Sequence, residues 1–232
     1  LEEIDGVIAR GDRRPEHDFQ IELLSLPCRL GVTLPELPAE VPYLRADESL
    51  VRCWRERMGG NGKRRIGLVW RGNTENKANR RRSLPLARFA PFASLPGVAW
   101  YGLMRELAPG ELAAAPFAIT NLEDASNTPS DTAAIMMNLD LVVTVDTMAA
   151  HLAGALARPA LVLLAHSADW RWMLDREDSP WYPTLRLMRQ HRRGDWEELA
   201  GSNAFQTLLE DWIFEYNQGT LKPRRTRKRT AA

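Results

Sequence analysis

The chain has 232 residues and a formal net charge of +1, with 44% hydrophobic and 26% charged residues, which is typical of a soluble globular protein. No stretch approaches the roughly 18 consecutive apolar residues of a membrane-spanning helix, so we expect no membrane span. The two cysteines, Cys28 and Cys53, match neither a metal-binding spacing nor a secreted disulfide framework, which favours a cytoplasmic protein.

The first 46 residues show little regular patterning. Residues 4–10, IDGVIAR, predict a short strand, whereas residues 20–46 carry prolines at positions 27, 35, 38 and 42, which indicate an irregular connector. The chain starts without Met and lacks the basic, apolar and small-residue regions of a signal peptide. We therefore expect it to begin inside a longer protein.

From Asp47 onward, helical and strand patterns alternate. A helix over residues 47–59 has Asp47 at its N-cap and Gly59 as its stop. Strands are predicted at 65–70, 97–104, 117–122, 140–145, 159–165 and 185–190. Helices are predicted at 84–95, 132–139 (with Ser130 or Asp131 as the N-cap), 147–157 and 203–217. This alternation implies parallel pairing, so the predicted fold class is α/β, a doubly wound parallel sheet over about residues 62–200.

Polar segments follow three of these strands directly, at residues 71–73, 146–147 and 166–172. In doubly wound sheets, ligands bind outside the carboxyl ends of the strands, where the strand order reverses. The fold alone therefore predicts a ligand near these loops.

The turn "VTVDTMAAHLAGAL" joins a buried strand to an apolar helix. If Asp146 or Thr147 caps the helix, the next amides and the helix dipole form an anion site suited to phosphate. His151 lies four residues after Thr147 and shares its helix face, so it can reach the same anion or a sugar hydroxyl. The alternative is an ordinary N-cap with a core histidine.

Two further segments carry groups suited to a nucleotide. Gly72 allows a tight turn at a strand end, and Asn73 can donate and accept hydrogen bonds, although neither a dinucleotide fingerprint nor a P-loop is present. The stretch "NRRRSL" concentrates arginines, which bind phosphate with two parallel hydrogen bonds. The alternative for this cluster is a solvated loop.

The segment "DWRWMLDREDSPWYP" contains Trp170, Trp172 and Trp181, three of the eight tryptophans. Most of them are expected to pack in the core. One could instead stack on a base or a sugar ring, with Arg171 beside it meeting a phosphate.

The tail "LKPRRTRKRTAA" holds six basic residues. It could bind nucleic acid or anionic lipid, or it could be a solvated, disordered terminus. No interleaved aromatic residues or known nucleic-acid motif accompany it, so a nucleic-acid partner is not favoured. The four histidines are scattered, and we expect no metal.

Taken together, "IGLVWRGN", "RRRSLPL", "SDTAAIMMNLDLVVTVDTMAAHLAGAL" and "DWRWMLDREDSPWYPTLRLMRQ" resemble a group of bacterial glycosyltransferases. These are tetratricopeptide-repeat proteins whose catalytic part is related to the lipopolysaccharide heptosyltransferase family. The resemblance covers about residues 19–200 and implies the C-terminal half of a GT-B fold, in which two Rossmann-like domains face a cleft.

The resemblance implies a domain division and a set of donor-binding residues. Residues 1–45 would be the end of the first Rossmann-like domain and the linker, 46–200 the nucleotide-sugar-binding domain, 201–219 a terminal helix and 220–232 a disordered basic tail. The residues implied to bind the nucleoside diphosphate sugar are Gly72, Asn73, Arg82, Ser83, Asp146, Thr147, Met148, His151, Trp170 and Arg171.

The implied function is transfer of a sugar from a nucleoside diphosphate sugar to an acceptor hydroxyl, without a metal or other cofactor. The acceptor could be a glycan, a lipid-linked molecule or a protein, and no catalytic residue is assigned. Because the first domain is nearly absent, we expect the isolated chain to turn over little or no substrate. The alternative is a truncated, non-catalytic module that binds a nucleotide or a protein partner.

Overall fold

A computed structural model gives the fold of the chain and describes residues 4–34, 37, 40–60, 62–73, 79, 81–122, 128–200, 207 and 209–211. Its helices and strands are α1 (Leu26–Arg29), α2 (Glu48–Met58), β1 (Arg64–Val69), β2 (Val98–Gly102), β3 (Ile119–Asn121), α3 (Pro129–Met137), β4 (Leu141–Val145), α4 (Met148–Ala155), β5 (Ala160–Leu164), β6 (Leu185–Arg189) and α5 (Trp196–Ala200). Short 3-10 helices cover Leu23–Ser25, Leu86–Ser94, Leu112–Ala114 and Trp170–Trp172.

The six strands form one parallel sheet in the order β3-β2-β1-β4-β5-β6. The chain builds outward from β1 to β3 and then returns to the other side of β1, so the order reverses between β1 and β4. The predicted α/β class with a doubly wound parallel sheet is confirmed. This reversal opens a crevice at the carboxyl ends of β1 and β4, where such sheets bind ligands.

The core lies around β4 and β5, the two strands that follow the reversal. Every residue of β4 and β5 is buried, because helices cover both faces of a parallel sheet. Helix α3 packs against both α2 and α4, and α5 packs against the 3-10 helix Leu86–Ser94. Since crossovers between parallel strands are right-handed, these two groups are expected to lie on opposite faces of the sheet.

Several element boundaries differ from the sequence prediction. The cap of α3 is Thr128, not Ser130 or Asp131, because Thr128 forms a reciprocal capping box with Asp131 and Pro129 suits the first helical position. Residues 86–94 are a 3-10 helix with Pro91 inside it, where the missing N–H interrupts the α-helical pattern. Helix α5 was not predicted.

The strand predicted at residues 4–10 is wrong. These residues pair with no strand, and Val7 is 88% exposed. The predicted helix at 203–217 is helical at residues 207 and 209–211, and its other residues, together with the basic tail, lie outside the described residues. None of the helices in the described part of the chain has the length and apolar character needed to cross a bilayer.

Candidate functional site

The turn between β4 and α4 places a carboxylate and a helix N-terminus at the switch point. Asp146 follows β4 directly and is buried, and Thr147 is the N-cap of α4, its hydroxyl accepting from the Ala149 amide at 3.3 Å. The Thr147 hydroxyl also lies 3.2 Å from the hydroxyl of Thr144, a buried residue of β4 three positions earlier. The N-terminus of α4 thus lies at the carboxyl edge of the sheet, where its partial positive charge favours an anion.

Arg82 reaches this turn from the loop that follows β1. Its Nη1 lies 3.4 Å from Asp146 Oδ2, so an ion pair spans the crevice between the two central strands. The Arg82 side chain is 32% exposed and that of Asp146 is 8% exposed. A guanidinium with one side on a carboxylate and another toward solvent keeps donors available for a ligand phosphate.

Asn79, which the sequence analysis did not single out, organises this loop. Its Oδ1 accepts from Arg82 Nε at 2.6 Å, and its backbone oxygen accepts from the Ser83 hydroxyl at 2.6 Å. Asn79 is only 4% exposed, so its polar groups depend on these protein partners. It therefore fixes the direction from which Arg82 enters the crevice.

Asn79 also joins the loop to the end of β1. Its Nδ2 donates to the backbone oxygen of Asn73. A Cβ atom at Gly72 would lie 2.9–3.0 Å from the Asn79 amide, so the close approach requires a glycine. The structure thus brings Gly72, Asn73, Arg82 and Ser83 together around one buried amide.

His151 lies on α4 among aromatic rings. Its imidazole stacks on Trp172 with ring centroids 5.0 Å apart, and its Nδ1 is 3.2 Å from the Tyr182 hydroxyl. Burial lowers the pKa of His151 below its ordinary value, while the charge of Asp146 acts to raise it. The imidazole is therefore neutral at pH 7, with one nitrogen that donates and one that accepts.

The tryptophan segment lies at the rim of the same region. Trp170 is 63% exposed, the Arg171 guanidinium lies 4.8 Å from its ring centre, and Asp169 pairs with Arg171 at 2.8 Å. Trp172 is fully buried, whereas Trp181 donates from its indole to the Arg171 backbone at 2.9 Å. One tryptophan packs in the core, and another keeps an open surface suited to stacking.

Some of the predicted site residues contact one another, whereas others have no polar contact with Asp146 in the described structure. Asp146 contacts Arg82, and the charges of Asp146, Arg171, Asp169 and Arg82 all act on His151. Met148, on the first turn of α4, is 57% exposed. No hydrogen bond or ion pair joins Met148 or Trp170 to Asp146 in the described part of the chain.

Arg189 is another residue that the sequence analysis missed. It ends β6, and its guanidinium donates to the backbone oxygens of Trp172 and Met173. Burial lowers the pKa of Arg189, and the charges of Asp175 and Asp146 oppose this. Arg189 thus joins the tryptophan segment to the sheet near Asp146; its position at the end of a strand was the available sequence signal.

Glu111 anchors the residues that leave β1 toward the site. It accepts hydrogen bonds from the Trp70 indole at 2.7 Å and from Arg71 Nε at 3.0 Å. Burial acts to raise the pKa of Glu111, but the hydrogen bonds from Arg71, the Ala108 amide and Trp70 outweigh it and lower the pKa to about 2. The carboxylate therefore fixes the base of the loop that carries Gly72.

Glu111→Gln is expected to lower the free energy of unfolding at pH 7 by about 1–3 kcal/mol, because a neutral amide cannot replace these charge-assisted bonds. Since the folded pKa is depressed, the contribution of Glu111 is present above its ordinary value of 4.5 and is lost as the pH falls toward 2. Urea denaturation should show the deficit at pH 7 and little of it at about pH 2.5. Exposed Glu197, paired with Arg88, is the control, and Glu197→Gln should change stability by less than about 0.5 kcal/mol; an equal effect would contradict the anchoring role.

No three His, Cys, Asp or Glu side chains gather closely enough to hold a metal ion within the described ranges.

Three known proteins resemble the chain over most of its length. The protein FlbA of Caulobacter vibrioides is 29% identical over 195 residues, which cover 79% of this chain and 31% of that protein. The structure of the E. coli ADP-heptose LPS heptosyltransferase II matches with a TM-score of 0.57 at 18% identity, over 80% of this chain and 57% of the other. The structure of a family 9 glycosyl transferase from Veillonella parvula matches with a TM-score of 0.54 at 14% identity, over 74% and 53%.

The structural matches show that the six-stranded sheet has the Rossmann-like fold found in heptosyltransferases of the GT-B type. The chain spans about a third of the curated relative and slightly more than half of each solved structure. No protein-family model matches the chain.

Proposed function

We propose that this chain is the nucleotide-sugar-binding half of a glycosyltransferase that transfers a sugar from a nucleoside diphosphate sugar to an acceptor hydroxyl. The observation that carries the proposal is the Arg82–Asp146 ion pair of 3.4 Å, which spans the switch point beside the N-terminus of α4. Positive groups converge there at the place where a doubly wound sheet binds a ligand. The fold match to heptosyltransferases supports this choice of ligand.

In this proposal the diphosphate lies against the first turn of α4 and Arg82. When the bond to the sugar breaks, negative charge grows on the departing diphosphate, and the amides and the guanidinium stabilise it. Asp146 accepts hydrogen bonds from the sugar hydroxyls and the neutral His151 donates to a phosphate oxygen. Gly72, Asn73 and Ser83 form the floor of the crevice. Trp170 offers its open face to the base, and no metal ion takes part.

The proposal extends to the whole protein. The chain would be the C-terminal half of a bacterial, cytoplasmic tetratricopeptide-repeat glycosyltransferase, whose preceding Rossmann-like domain supplies the acceptor surface. Residues 1–45 would be the end of that first domain and the linker between the two domains. The acceptor hydroxyl is then held by residues outside this chain, so the isolated chain should bind the donor with little turnover.

Calorimetric titration of the 232-residue chain with ADP, UDP and GDP tests the donor site. We expect weak binding of at least one nucleoside diphosphate, and ADP is included because the matched E. coli enzyme uses ADP-heptose. EDTA should leave the affinity for the nucleotide unchanged. Loss of nucleotide affinity in EDTA would refute the expectation that no metal ion takes part. Cys53→Ala, which changes an exposed thiol on α2, is the control and should bind like the native chain. Absence of heat with all three nucleotides, in a chain that circular dichroism shows to be folded, would refute the donor site.

A further inference from the structure

A line of three side chains joins the connector to the candidate site. The Tyr43 hydroxyl lies 3.4 Å from the Tyr182 hydroxyl, which in turn lies 3.2 Å from His151 Nδ1. The connector is fixed at this point, because the Tyr43 and Leu44 amides both donate at 3.1 Å to the Ala155 oxygen at the end of α4. The Tyr182 hydroxyl therefore links the His151 imidazole to Tyr43 of the connector.

The ring packing sets the direction of this contact. Tyr182 is 9% exposed, and its ring meets the His151 ring edge-on at a centroid distance of 5.8 Å. Trp172 stacks on the flat face of the imidazole, so the ring has little freedom to turn. With Nδ1 facing Tyr182, Nε2 is the nitrogen left to meet a ligand, and it has no hydrogen-bond partner among the described residues.

Two proton arrangements satisfy this line of groups. In the first, Tyr43 donates to Tyr182, Tyr182 donates to Nδ1, and the ring proton sits on Nε2. In the second, Nδ1 carries the proton and donates to Tyr182, and Nε2 keeps a lone pair. Which ring nitrogen is protonated is set by the hydrogen bond that the other one makes, so the Tyr182 hydroxyl decides between them.

Chemistry favours the first arrangement. A phenol is a better hydrogen-bond donor than a neutral imidazole, and an imidazole nitrogen is a better acceptor than a phenol oxygen. Burial raises the pKa of Tyr182, so the hydroxyl keeps its proton and can donate it. Tyr43 is 53% exposed, so water can accept or donate at its oxygen in either arrangement.

We propose that Tyr182 is a positioning residue that donates to Nδ1 of His151 and so keeps the ring proton on Nε2, as a neutral donor aimed at the bound anion. Tyr43 completes the line and couples the connector to the site. The role of Nε2 toward an anion rests on the proposed function, whereas the proton position belongs to the unliganded protein and is measured separately. A neutral donor can hold a diphosphate and release it without gaining or losing a proton.

Long-range proton–nitrogen NMR correlation on the 15N-labelled chain at about pH 7.5 tests the proposal, since the imidazole is then neutral. The His151 signals are identified by their loss in His151→Gln. We expect an unprotonated-type Nδ1 and a protonated-type Nε2 in the native chain. In Tyr182→Phe, which keeps the ring packing, we expect a mixture of both tautomers and about fivefold weaker binding of the nucleoside diphosphate, as loss of one hydrogen bond predicts.

Two matched variants complete the experiment. Tyr101→Phe removes another buried tyrosine hydroxyl, which donates to the Met58 oxygen at 3.5 Å, and should leave the His151 signals unchanged. Tyr43→Phe should keep the proton on Nε2, because Tyr182 still donates. A native chain with the proton on Nδ1, or a Tyr182→Phe variant with native signals, would overturn the proposal. If no nucleotide binds while the proton lies on Nε2, the proposed function fails and the positioning role of Tyr182 stands.

Discussion

Arg82→Ala is expected to weaken binding of the preferred nucleoside diphosphate by about 10- to 100-fold, the range for loss of a charge-assisted hydrogen bond. Arg82 lies 3.4 Å from Asp146 and donates to Asn79 at 2.6 Å, so its guanidinium is oriented before a ligand arrives. Binding then loses little free energy to ordering of the Arg82 side chain. Calorimetry with ADP, UDP and GDP on native and variant chains measures the change.

Two substitutions make this result specific. Arg82→Lys keeps the charge but loses the planar fork, and it should fall between the native chain and Arg82→Ala. Arg88→Ala removes an arginine from a surface ion pair with Glu197 and should bind nucleotide like the native chain. If the Arg82→Ala variant binds the nucleotide with native affinity, Arg82 does not contact the ligand, although the chain still binds nucleotide.

The fold could be predicted because its signals are local. β5 is an unbroken apolar run, and β4 departs from one only at Thr144. A helical pattern precedes β4 and another separates it from β5, as expected for a doubly wound sheet. The failed strand at residues 4–10 also contains β-branched apolar residues, Ile4, Val7 and Ile8, but a strand needs a partner as well. Local pattern carries no information about whether a partner edge is within reach.

The candidate site was predictable only in part for a related reason. Asp146, Thr147 and His151 share one strand-to-helix turn, so their proximity follows from spacing along the chain. The contact between His151 and Tyr182 spans 31 residues and the one between Tyr182 and Tyr43 spans 139, so only the folded chain brings them together. Asn79 precedes three arginines in the sequence, and nothing in the local pattern indicates that its amide is buried and accepts from one of them.

The packing of α4 against Tyr182 predicts a large change in stability when Gly154 gains a side chain. Gly154→Ala is expected to lower the free energy of unfolding by about 1–3 kcal/mol, the range for overpacking a filled core. A Cβ atom at Gly154 would fall inside van der Waals contact with Cβ, Cγ and Cδ1 of Tyr182, which are the atoms nearest its backbone and the least able to move away. The loss should appear even though alanine is favoured over glycine within a helix by about 1 kcal/mol. Urea denaturation followed by circular dichroism measures it.

Gly60→Ala is the matched control, because a Cβ atom there meets open space and it should leave the denaturation midpoint near the native value. Gly154 lies on α4 three residues after His151, so displacing the Tyr182 ring should also break the 3.2 Å contact with Nδ1. Gly154→Ala should therefore lose both stability and nucleotide affinity, whereas Tyr182→Phe should lose affinity with little loss of stability. A Gly154→Ala chain as stable as the native one would show that Tyr182 can yield, and its hydroxyl would then be too loosely held to fix the His151 proton.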